Sequence, residues 1–180
     1  KSSFKFKLTN PDNPVVYNLI GICYVNQQNP KEAVPYFRTA LRLNKQYSEA
    51  KANLGSALLM MGKVDDAILQ LEESLKENPK NAIGWNSLGN ALSQNTQLKQ
   101  AQTAFEQAIN LVPQYLNAIN SLGVLLNNME EPTQAIKIFE NGLKIDPNDR
   151  DILTNLGYTL ADSGNITDAI KMLSKVVSLG

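Results

Sequence analysis

The sequence predicts an all-α solenoid of stacked antiparallel helical hairpins, and three observations predict it. Gly21, Gly55, Gly89, Gly123 and Gly157 stand thirty-four residues apart. Ala33, Ala67, Ala101, Ala135 and Ala169 keep the same step. Around these markers apolar residues recur three and four positions apart, as on the buried face of a helix. A fixed period of this length identifies one supersecondary element used repeatedly, each copy burying its faces on its neighbours.

The elements follow in chain order. Residues 1–13 carry Phe4, Phe6, Leu8 and Pro11 and fit the tail of a preceding repeat, although the alternation in FKFKL also fits a short extended segment. A single domain, 14–180, then holds repeats at 14–47, 48–81, 82–115, 116–149 and 150–180. In the first repeat Tyr17, Ile20 and Gly21 share one helix face, and Ala33, Phe37 and Ala40 share a face of the next. Pro30 opens that second helix, where a missing N–H costs little, and Pro132 holds the same place in the fourth repeat. Pro35 is the misfit and is expected to distort or delay the helix start.

The third repeat shows the plan most plainly. Trp85, Leu88, Gly89 and Leu92 line its first helix, and on this spacing Trp85 is core. The tract SQNTQ breaks the apolar pattern before Ala101, Phe105 and Ala108 line the second helix. Pro113 stops that helix, as Pro11, Pro79 and Pro147 stop their counterparts, while Lys45 takes the place in the first repeat. The fifth repeat reaches Gly180 without a polar capping helix, so the expectation is a fragment of a longer protein, or ends covered by self-association. Glycine inside a helix is less favourable than alanine by about 1 kcal/mol. Five such losses imply a close helix approach at each glycine, with the small alanine of the second helix as the natural counterpart.

These residues resemble the tetratricopeptide repeat, whose pattern of Trp, Leu-Gly, Tyr, Ala, Phe and Pro is met by Trp85, Leu88, Gly89, Ala101, Phe105 and Pro113, with Leu92 in the Tyr slot. Tyr24 supplies the missing aromatic in the first repeat. The resemblance covers the chain from Pro14 onward. It implies a right-handed superhelix whose concave groove is lined by the side of each first helix opposite the glycine.

On that side Asn18, Asn53, Asn86, Asn120 and Asn155 precede their glycines by two or three residues. Asn26, Ser56, Asn90, Gln94, Asn127 and Tyr158 complete the candidate ligand-binding set. An amide offers one acceptor and two donors, which suits the backbone of an extended peptide. Such a row resembles the superhelical repeats of the O-linked N-acetylglucosamine transferases and their bacterial relatives. There the asparagine directly precedes the Leu-Gly pair, as only Asn53 and Asn155 do here. The bland alternative is that these asparagines cap helices or face water.

Composition narrows the function classes. The 180 residues hold 17 basic and 17 acidic side chains, so no global field recruits nucleic acid or an anionic membrane. Residues 1–47 are locally basic, with seven Lys or Arg against Asp12 and Glu32. The repeat at 82–115 carries only Lys99 and Glu106. Histidine is absent and Cys23 is the single cysteine, which removes the commonest general base and any internal disulfide. Cys23 itself reads as a small buried residue. No cofactor and no metal is expected.

Where related repeats grip a C-terminal carboxylate with Lys or Arg, this chain has Asn18, Ala52, Asn86 and Asn120. Asn165, Ile166 and Thr167 match a glycosylation acceptor by a pattern short enough to recur by chance. The leading expectation is a scaffold holding an extended segment of a protein or peptide partner, without nucleic acid or membrane insertion. A second reading is the substrate-recognition arm of a larger enzyme such as a glycosyltransferase; single-stranded RNA binding ranks last. The cytoplasm is the expected compartment, with an upstream signal peptide left open.

Overall fold

A computed structural model of the chain describes residues 12–179. Phe4, Phe6, Leu8, Pro11 and Gly180, and with them the reading of the first residues, lie outside the described residues. The chain divides into two compact units, Lys1–Glu77 and Asn78–Gly180. The first holds α1 (Pro14–Asn26), α2 (Pro30–Leu43), α3 (Ser48–Met60) and α4 (Val64–Glu77). The second holds α5 (Ala82–Gln94), α6 (Leu98–Leu111), α7 (Leu116–Asn128), α8 (Pro132–Ile145), α9 (Arg150–Asp162) and α10 (Ile166–Ser178). Odd-numbered helices pair with the even-numbered helix that follows, and within each unit the next hairpin packs on the last. The described residues are therefore all-α, in the stacked-hairpin arrangement that the period predicts.

A left-handed residue stops each first helix. Gln28, Gly62, Thr96, Glu130 and Gly164 have φ between 56° and 82°. In the second hairpin the Gly62 N–H donates to the Leu59 carbonyl (2.9 Å) and the Lys63 N–H to the Leu58 carbonyl (3.0 Å). These are the two bonds of a Schellman motif, which satisfy carbonyls the helix would otherwise leave bare. Three of the five positions use a residue other than glycine, so the tract SQNTQ turns through Thr96 with φ 59°.

The close approach at each glycine is present, but its counterpart is different from the expected alanine. A Cβ on Gly55 would stand 2.6 Å from Leu71 Cγ, and one on Gly21 would stand 2.5 Å from Phe37 Cε1. Gly89 meets Phe105, Gly123 meets Phe139 and Gly157 meets Leu173. The side chain four residues beyond each alanine is long enough to cross to the opposing helix, and the glycine leaves room for it. The alanines are themselves buried, from Ala33 to Ala169.

Three further expectations are corrected. Helix α2 starts at Pro30 and runs unbroken through Pro35, so that proline neither delays nor interrupts it. Pro35 is exposed, and it costs the helix one intrahelical bond. Trp85 is only half-buried, because spacing fixes a face and not a depth. Its indole N–H donates to the Pro79 carbonyl at 2.8 Å and ties down the turn before α5. Cys23 is exposed, since it lies two residues, roughly 200°, round the helix from the buried Gly21.

Candidate functional site

The predicted asparagines sit on the first helices but differ in what they present. Asn18 is 1% exposed. Its Oδ1 accepts a hydrogen bond from Asn53 Nδ2 (3.0 Å), and its own Nδ2 donates to the Tyr47 hydroxyl and to Glu49 Oε1, both at 3.3 Å. In the second unit Asn155 Nδ2 donates to Asn120 Oδ1 at 2.8 Å. In both pairs the later amide stands thirty-five residues beyond the earlier one. The helix starts keep the thirty-four-residue step, and the later asparagine stands one position further along its helix, where the amides of neighbouring hairpins meet.

Asn86 holds the same place as Asn18 and Asn120 but lacks that partner. Thirty-five residues on the chain has Ser121, a hydroxyl in place of the second amide, and Asn86 Oδ1 receives no hydrogen bond from it. Asn86 is 9% exposed. It hydrogen-bonds the Tyr115 phenol, while its Oδ1 is buried with no hydrogen-bond donor. An uncompensated buried carbonyl costs about 1–3 kcal/mol. Burial raises the Tyr115 phenol above its usual value, with the Asn86 bond opposing the rise. Burial likewise raises Tyr47, reinforced by the Glu49 carboxylate and opposed by Asn18.

Among the other candidates Asn53, Ser56, Asn90, Asn120, Asn127 and Asn155 are half-buried, and Asn26, Gln94 and Tyr158 are exposed. Val124 and Tyr158 are 36% and 60% exposed and stand one and two repeats after Asn90. Helices α5 and α7 contain no charged side chain, whereas α9 carries Arg150, Asp151 and Asp162. Asn165, the glycosylation match, accepts from the Asp168 N–H (3.4 Å) and caps α10. Among the described residues no cluster of His, Cys, Asp or Glu could hold a metal, and no helix is long and apolar enough to cross a membrane.

Sequence reasoning missed Tyr47, Tyr115, Glu49 and Ser121. The signal was available for the tyrosines: each stands twenty-nine residues after its asparagine, Asn18 or Asn86.

The family model for the cytochrome c-type biogenesis protein H TPR domain matches residues 62–179, and a tetratricopeptide repeat model matches 24–91. No curated protein matches the chain. Among solved structures it is similar to MamA 41-end from Desulfovibrio magneticus RS-1, at 22% identity and TM-score 0.81, covering 92% of this chain and 94% of that one. It is similar to Pseudomonas aeruginosa pilF at 21% identity and TM-score 0.84, over 93% and 76% of the two chains. YrrB, described as a TPR protein with an unusual peptide-binding site, aligns at 22% identity and TM-score 0.72, over 94% and 87%.

Proposed function

Because the chain belongs to the tetratricopeptide repeat family, we propose that it is a protein-binding module that holds an extended, largely uncharged segment of a partner against the amides of its first helices. The observation that carries this reading is the face of the second unit made by α5 and α7. Two helices without a charged residue present Asn90 and Asn120 beside the exposed Val124. A surface designed only for water would carry Lys and Glu, which dominate solvated helix faces. Amides pair with a peptide backbone whatever its sequence, and an exposed valine gives purchase to an apolar side chain. Chargeless helices favour a neutral ligand over RNA, whose phosphates need Lys and Arg. The likeness to YrrB supports a peptide as the ligand class.

The test is selection of random 12-residue peptides displayed on phage against the full chain. The expected result is enrichment of uncharged peptides, with binding lost when Asn86, Asn90 and Asn120 are replaced together by Ala and thermal unfolding stays cooperative. Failure to enrich any peptide, or unchanged binding by the triple variant, overturns the assignment.

A further inference from the structure

The amide pairs divide the asparagines into two kinds. Asn18 with Asn53, and Asn120 with Asn155, satisfy each other across neighbouring hairpins. Asn86 has the tyrosine that Asn18 has, but Ser121 stands where Asn53 and Asn155 supply the second amide. Its Oδ1 is left as the single buried side-chain acceptor without a donor among the described residues.

We infer that the break in the amide row at Ser121 is the point where a bound segment is fixed in register, a backbone N–H of the ligand donating to Asn86 Oδ1. The inference rests on the peptide-binding reading and deepens it. The donor must be an N–H on a slender group, since the oxygen it has to reach is buried. The ligand carbonyl next to it is then positioned for the half-buried amides of Asn90 and Asn120 on the same two helices. The oxygen itself is covered, so the donor reaches it as the surrounding side chains part, and the gain is the hydrogen bond that folding leaves unmade. The paired amides of Asn18 and Asn120 have their Oδ1 atoms already engaged and do not set the register.

The experiment uses a peptide selected as above, in the form of single N-methylated derivatives covering each residue. One position is expected to lose about tenfold in affinity for the natural chain when its N–H is methylated, the effect of one hydrogen bond. Ser121→Asn, which supplies the missing amide donor, is expected to raise the melting temperature, weaken the unmethylated peptide by a similar factor and abolish the effect of that N-methyl group. Ser121→Ala, which leaves the acceptor open, is expected to retain the effect. If Ser121→Asn raises the melting temperature but leaves peptide affinity unchanged, Asn86 is a purely internal group and the inference fails while peptide binding stands. If Ser121→Asn leaves both unchanged, the register is set elsewhere and the inference fails. If no peptide is selected at all, the underlying reading fails and takes this inference with it.

Discussion

Gly89 and Phe105 are complementary halves of one contact: a Cβ on residue 89 would stand 2.5 Å from Cε1 of the Phe105 ring. Phe105 is 1% exposed, so the ring has no solvent to move into. Replacing Gly89 by Ala gains about 1 kcal/mol in helix propensity. It loses about 1–3 kcal/mol to overpacking. Gly89→Ala is therefore expected to destabilise, and Gly89→Leu more so, in urea unfolding. A variant as stable as the parent would show that the ring does not depend on the missing side chain.

Truncating the other half removes more. Phe105→Ala deletes a buried ring and is expected to cost about 3–5 kcal/mol. Trp85→Ala should cost less despite the larger residue, because Trp85 is half-buried and its best-defined contact is the hydrogen bond to the Pro79 carbonyl. Parallel urea melts decide the order; a larger loss for Trp85→Ala would place the indole in the core after all.

The amide pairs differ in depth, and their variants should differ accordingly. Asn53→Ala strands the Oδ1 of Asn18, a residue 1% exposed, at a cost of about 1–3 kcal/mol. Asn155→Ala exposes the Oδ1 of half-buried Asn120, which water can reach, and should cost less. Equal losses in thermal melts would mean that burial of the acceptor does not set the cost.

Alkaline unfolding reports on Tyr115. Burial lifts its phenol above the ordinary 10.0, so the fold favours the protonated form. The stabilisation this provides is fully present below the unfolded value and is lost as pH rises through the higher folded value. Tyr115→Phe is expected to be less stable at neutral pH, where the Asn86 bond is missing, yet to lose less stability above about pH 10. Melting temperatures measured from neutral to alkaline pH check this, and parallel curves for the two proteins would contradict it.

Much of the hairpin plan is legible in the sequence because it rests on short-range rules. The period of the glycines, the prolines after α4, α6 and α8, and Pro30 at the start of α2 all act within a few residues of themselves. What lies opposite a glycine is harder to read: Ala101 and Phe105 both recur at the same interval, and only the geometry of the helix pair decides that the ring makes the contact. The site is less legible still. Angle alone puts Asn18 and Asn86 on the outward side, yet tyrosines from the next hairpin fold over them, and a one-dimensional pattern does not rank depth. Cys23 is the opposite case, since its angle from Gly21 already points it outward and nothing covers it.

The residue just before each first helix has two uses that exclude one another. Asn81 and Asp149 turn inward on their own helices and accept from the N–H of Gly84 and Ile152. Tyr47 and Tyr115 leave α3 and α7 without a side-chain cap and reach back to the preceding hairpin. An uncapped helix start is weaker by about 1 kcal/mol. The opening turns of α3 and α7 should thus fray more readily than those of α5 and α9, and exchange their amide hydrogens with solvent sooner. Two joints are braced by a phenol strut at the expense of the helices they lead into.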